Sequence, residues 1–250
     1  MSAKAAVGTS GWSYKHWTKV LYPEQLKGRH RLEIYAEHLP TVEINSTFYG
    51  LPRASTTQKW GELTPEHFRF AIKGSKLITH QHRLKDCAEA LEQLLERLQP
   101  LWGKMCAMLW QLPPSFARDD KLLCDFADIL PKNMRHALEI RHTSWLCDEV
   151  YALLAERDIA LVWVSATAFP EVSERTAKWV YLRFHGLGDT YAHSYTEEEM
   201  APWADRVAEA VAAGCDAYCY FNNDARGHAV MNALTFTEML RERGVALLEP

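Results

Sequence analysis

The chain has 250 residues, 48% of them hydrophobic, and a formal net charge of −4. That is enough for one sizeable core in a single domain over 1–250, and it excludes a general basic field able to hold duplex nucleic acid. No apolar run approaches the roughly 18 residues that span a bilayer, and MSAKAAVGTSGW has no long apolar stretch, so a cytoplasmic protein with no membrane partner is expected.

In chain order, short β-rich segments alternate with amphipathic ones. AAVGTSG (5–11) reads as a strand ending in glycine. A helix over 29–39 and the strand TVEIN (41–45) follow, then the strand FRFAIKG (68–74). DCAEALEQLLERLQP (86–100) is a helix with Leu91, Leu94, Leu95 and Leu98 on one stripe, and Asp86 with Glu89 suggests a capping box. KMCAMLWQLP (104–113) is a fourth strand, 120–130 a helix, and RHALEIR (135–141) a fifth strand. A helix over 145–157 leads to the strand IALVWV (159–164). Residues 165–177 contain Pro170 and no helical period, so the outer helix there is expected to be short or missing. KWVYLRFHG (178–186) is the seventh strand, 196–214 a helix stopped by Gly214, DAYCYFNN (216–223) the eighth strand, and about 226–243 the last helix. Eight such repeats in this length predict a single-domain α/β TIM (β/α)8 barrel.

Alternation within the strands sorts their side chains. Val42 and Ile44, Phe70 and Ile72, Leu138 and Ile140, and Leu182 and Phe184 suit the helix layer. Glu43, Asn45, Lys73, Glu139, Arg141, Arg183 and His185 then face inward at the C-terminal strand ends, where such barrels carry their sites. An Arg–Glu pair such as Arg183 with Glu43 would also serve as plain architecture. The same pattern on four strands, however, favours a polar pocket, since unpaired buried charges cost several kcal/mol each.

Other candidates are less specific. His142, next to Arg141, should face away from the interior, and His80 and His82 read as surface residues. Trp12, Tyr14 and Trp17 form either an aromatic wall or ordinary loop packing. Asn222, Asn223 and Asp224 meet a helix start, where one would serve as N-cap and the free N–H groups suit an anion. None of the six cysteines forms a C-x-x-C pair, so buried free thiols are expected, with no zinc or disulfide role.

GTSGWSYKHW, YAEHLPTVEINSTFYGLP, FRFAIKGSKLITH, QLPPSF, EIRHTSW, YLRFHG and YFNNDARGHAVMNAL resemble, in order, the hallmark segments of the YecE-like family, domain of unknown function 72. The resemblance runs from about residue 7 to 240 and implies a TIM barrel, with no established reaction. Its motif positions fall on Trp12, Glu43, Asn45, Ser46, Tyr49, Lys73, Gln111, Glu139, Arg141, His142, Trp145, Arg183, His185, Asn222, Asn223 and Asp224. The segment after IALVWV carries no family signal.

Three functions compete. The first is an enzyme acting without metal on a small anionic partner. Lys73, Arg141 and Arg183 clamp a phosphate or carboxylate, Glu43 and Glu139 act as acid and base, and His185 shuttles a proton. Trp12, Asn45, Tyr49, Asn222, Asn223 and Asp224 complete the substrate contacts; no metal ligand set is assigned, and the cofactor is unknown. The second is a metal-dependent phosphodiesterase or isomerase of the endonuclease-IV/xylose-isomerase type, by fold analogy, using Glu43, Glu139, His185 and Asp224. The third is a nucleotide or nucleic-acid binding protein without catalysis, against which the acidic net charge counts.

Overall fold

The computed structural model describes residues 2–188 and 191–250. Its strands are β1 (Ala5–Ser10), β2 (Thr41–Ile44), β3 (Arg69–Lys73), β4 (Met105–Gln111), β5 (His136–Glu139), β6 (Ala160–Leu161), β7 (Trp163–Ala166), β8 (Trp179–Gly186) and β9 (Asp216–Phe221). All pair in parallel, in the order β6-β5-β4-β3-β2-β1-β9-β8-β7. β6 and β7 are separated by Val162 alone and form one stave: β6 pairs with β5, β7 pairs with β8, and Val162 N–H donates to the Leu138 carbonyl. Nine short strands thus make eight staves of a TIM-like barrel.

The helices are α1 (Arg31–Ala36), α2 (Ser46–Tyr49), α3 (Ala54–Glu62), α4 (Ala88–Leu98), α5 (Asp120–Ile129), α6 (Asp148–Glu156), α7 (Glu197–Ala212) and α8 (His228–Glu242). No helix forms over 167–178. That segment instead folds back on the sixth stave: Val172 bridges Val164, and the Thr176 hydroxyl accepts from Leu161 N–H and donates to the Ile159 carbonyl. The capping box expected at Asp86 and Glu89 is not formed. The chain leaves a left-handed turn with Asp86 at φ 49°, and α4 starts at Ala88 behind Cys87, whose side chain makes no cap bond. A capping box does open α7, where Thr196 accepts from Glu199 N–H and the Glu199 carboxylate accepts from Thr196 N–H.

Two apolar layers follow from the alternation. Val42, Ile44, Phe70, Ile72, Leu138, Ile140, Leu182 and Phe184 lie in the core between barrel and helices, with Leu91, Leu94 and Leu98 of α4. Each fully buried Leu or Phe contributes about 1.5–3 kcal/mol. Inside the barrel, the alanines of β3, β4 and β5 (Ala71, Ala107, Ala137) leave room that Trp179, Tyr181 and Tyr220 fill from β8 and β9. The Tyr181 and Tyr220 rings are 5.1 Å apart. This packing closes the lower barrel and leaves the polar side chains above it.

Candidate functional site

The first polar layer over Tyr181 is a buried ion cluster. Arg183 has no exposed surface and spans the barrel between two equally buried carboxylates. Its Nη2 donates to Glu43 Oε1 at 2.7 Å, and its Nη1 donates to Glu139 Oε2. Glu43 also accepts from the Ser10 hydroxyl at 2.6 Å and the Tyr181 hydroxyl at 2.7 Å. Burial alone would raise both carboxyls. The Arg183 guanidinium outweighs it, helped by Ser10 and Tyr181 at Glu43, and by His185 and Arg141 at Glu139. Glu43 is held below the usual carboxylate range and Glu139 well below it, so neither carries a proton to donate near neutral pH.

In the next layer Arg141, Lys73 and Asn222 are half-buried and His185 is buried. Arg141 Nε donates to Glu139 Oε1 at 2.8 Å, its Nη2 donates to Gln111 Oε1 at 3.1 Å, and its guanidinium lies 4.0 Å from the Phe169 ring centre. His185 accepts from Asn222 Nδ2 at its Nδ1, 3.2 Å away. Its proton therefore sits on Nε2, which faces Glu139 Oε2 at 3.3 Å. Burial lowers the imidazole pKa and Arg183 adds to this, against Glu139, so the ring is neutral at pH 7.

Lys73 completes the layer. It follows Ala71, which stands level with Glu43 on the adjacent strand, by two residues. Its ammonium lies 4.2 Å from the Phe48 ring centre and forms no ion pair or hydrogen bond among the described residues. Burial and then Arg183 push its pKa down to about 8, against the pull of Glu139 and Glu43. The next residue, Gly74, makes room for Trp110 of the outer core, since a Cβ there would lie 2.3 Å from that ring.

Among the expected site residues, Glu43, Glu139, Arg141, Arg183, His185, Asn222 and Lys73 are brought together. Trp12 and Asn45 border an adjoining hollow of about 340 Å³ with Tyr14 and Trp60. Trp60 meets the Trp12 ring edge to face at 5.5 Å, and Asn45 Oδ1 is buried without a hydrogen-bond partner among the described residues. Three residues lie elsewhere. Tyr49 is 72% exposed and packs on Phe48 from outside. Asn223 is buried with its amide donating to the His193 carbonyl and to Asn232. Asp224 accepts from Trp17 Nε1 at 2.8 Å and pairs with His16 at 2.9 Å. The N-cap of α8 is Gly227, at φ 84°, rather than any of these three residues.

Ser10, Tyr181, Phe48 and Phe169 were not singled out from the sequence. Ser10 and Tyr181 carry the period-2 signal that selected Glu43 and Arg183, whereas Phe48 and Phe169 sit in irregular segments without one. His80, expected at the surface, is half-buried with its ring 5.0 Å from Phe48, and burial followed by Lys73 lowers its pKa. Among the described residues, no three His, Cys, Asp or Glu side chains are placed to share a metal ion, because Asp224 is turned to Trp17 and the two glutamates to arginines. All six cysteines are free thiols. No helix among the described residues is long and apolar enough to cross a membrane.

Comparison with known proteins places this arrangement in a family. A DUF72 family protein from Thermotoga maritima is 31% identical, with a TM-score of 0.85 over 95% of this chain and 99% of that one. The UPF0759 protein YunF of Bacillus subtilis is 24% identical over 94% of each chain. The UPF0759 protein YecE of Escherichia coli K12 is 34% identical over 137 residues, 54% of this chain, and the match spans about half the length of that relative, 48%. The family model described as "Protein of unknown function DUF72" matches residues 6–250, and the chain belongs to that family.

Proposed function

We propose that the chain is an enzyme acting on a small phosphate- or carboxylate-bearing substrate at the C-terminal mouth of the barrel. The observation that carries this reading is the charge balance of the mouth. Glu43 and Glu139 contribute two negative charges, and Arg183 and Arg141 contribute two positive ones that these carboxylates already engage. Lys73 is left as a cation with no carboxylate of its own among the described residues. A buried or half-buried excess charge is costly unless a counter-charge arrives, and an anionic substrate supplies it. Arg141 adds a second donor: its Nη1 makes no hydrogen bond among the described residues, while Nε and Nη2 are held by Glu139 and Gln111.

The roles expected from the sequence shift accordingly. Glu43 and Glu139 hold Arg183 and Arg141 in place rather than passing protons. Neutral His185, braced by Asn222 and Glu139, orients the mouth. Asn45 Oδ1 accepts from a polar group of the substrate, and Trp12 and Trp60 pack its apolar part. The metal-dependent reading is not favoured, because its four proposed ligands do not converge.

Thermal melting with inorganic phosphate, sulfate and small carboxylates tests the proposal. A ligand at a hundred times its Kd stabilises the folded state by about 2.7 kcal/mol. At least one anion should raise the melting temperature of the native chain, and Lys73→Met or Arg141→Ala should remove the shift. The reading fails if no anion stabilises the chain, or if both variants respond as the native chain does.

A further inference from the structure

Lys73 has the surroundings of a reactive amine. It stands at the C-terminal end of β3, two residues beyond Ala71 of the alanine layer. Two guanidiniums are close enough to act on its charge, and both glutamates that could relieve it are bonded to those arginines instead. Its ammonium lies over the ring face of Phe48, which attracts the cation weakly while it takes the place of water on that side. Reactive lysines elsewhere are made the same way, by desolvation and neighbouring cations that favour the neutral amine over the ammonium. The Arg141 Nη1 described above is free of hydrogen bonds among the described residues, and Arg141 is one of the charges that act on Lys73, so it offers an anion donors.

We infer that Lys73 is a nucleophile, and that it forms a Schiff base with a small aldehyde or ketone carrying a carboxylate or phosphate. This rests on the anion-binding reading above and adds the electrophile. The ammonium first loses one proton to water. The nitrogen lone pair then forms the N–C bond while the carbonyl π pair moves to oxygen. That oxygen takes one proton from the nitrogen and one back from water, and it leaves as a water molecule as the nitrogen pair closes the C=N bond. One ammonium and one carbonyl become one iminium and one water, with charge unchanged and nothing oxidised or reduced. The iminium keeps the positive charge where the ammonium had it, so the electrostatics of Glu43, Glu139 and Arg183 need no rearrangement. Arg141 holds the substrate's anionic group.

Reductive trapping tests this. The native chain is incubated at pH 8 with glyoxylate and sodium cyanoborohydride, and modified lysines are located by peptide mass mapping at low conversion. Lys73 should be labelled at least about tenfold faster than the other lysines, since near pH 8 a lysine of ordinary pKa is almost wholly protonated. Lys73→Arg, which keeps the charge but not the amine, should lose this label, and its melting curve checks that it folds. Acetaldehyde should label Lys73 more slowly than glyoxylate does. Glycolaldehyde phosphate in place of glyoxylate reads whether phosphate or carboxylate is preferred. Labelling spread evenly over the lysines, or a fast label that persists in Lys73→Arg, overturns the inference. If glyoxylate or another of the anions raises the melting temperature but Lys73 is not labelled, only the nucleophile is wrong; if no anion raises it and Lys73 is not labelled, the anion site is wrong as well.

Discussion

At the scale of single residues, Arg183 and Lys73 pull stability in opposite directions. Arg183 neutralises two carboxylates that have no exposed surface, so removing it strands them. Arg183→Met should cost about 3–5 kcal/mol at pH 7. The variant should recover part of this as the pH falls, because without the guanidinium burial dominates and raises both carboxyls. In the native chain the sign is opposite. Both carboxyls are depressed in the fold, so their contribution is present above the unfolded carboxylate pKa and is lost as pH falls through the folded values. Melting curves from about pH 2 to pH 7 on both chains check the contrast, since the native loss falls below the ordinary carboxylate range. Lys73 is a Lys with a lowered pKa, so between about 8 and its ordinary value of 10.5 the unfolded chain binds more protons. Stability therefore rises with pH across that window, and below it the ammonium is a net cost. Lys73→Met should be more stable than the native chain at pH 7, by an amount on the order of 2 kcal/mol, with the gain shrinking as pH approaches 10. An equal or lower melting temperature at pH 7 would remove the electrostatic excess on which the site rests.

At the scale of elements, the strands were readable because a two-residue period needs only four or five positions to declare itself. The alternation in 41–45, 135–141 and 178–186 put Glu43, Glu139, Arg183 and His185 on one face, and the structure brings these four together. The helices were less faithful at their ends, where the chain's exit geometry decides. Asp86 cannot cap α4 from a left-handed turn, and α1 is Arg31–Ala36, shorter at both ends than its pattern suggested. α3 had no visible stripe, since the only residue it fully buries is Thr57, whose hydroxyl donates to the Arg97 carbonyl of α4. One strand contact depends on the absence of a side chain. A Cβ on Gly8 of β1 would sit 2.1 Å from the Thr41 carbonyl oxygen of β2, which is backbone and cannot step aside. Gly8→Ala should cost about 1–3 kcal/mol and displace Ser10 from Glu43, read as a lower melting temperature and a weaker anion response.

At the scale of the whole molecule, closure of the ring holds the site together, because its charges come from β2, β3, β5 and β8 and the strands beside them. The weakest seam is the split stave, where Ala160–Leu161 and Trp163–Ala166 serve different neighbours and no helix covers the return. Thr176 pins that return with two buried hydrogen bonds. Thr176→Val leaves the Leu161 N–H without its partner and should cost about 1–3 kcal/mol. Faster hydrogen exchange should appear in residues 159–166 before it appears in β1 and β9; uniform exchange across the barrel would show that the seam is not the weak point. By itself, the sequence determined the alternation of strands and helices, the barrel, the missing helix after the sixth strand and the inward face bearing Glu43, Lys73, Glu139, Arg183 and His185. These rest on local periodicity and on counting repeats. Only the tertiary structure decided which charge meets which. Arg183 could have paired with either glutamate and bonds both, Asp224 turns to Trp17, and Lys73 is left over Phe48. Partner choice depends on distances across the ring between residues up to 207 positions apart, and no period along the chain encodes them.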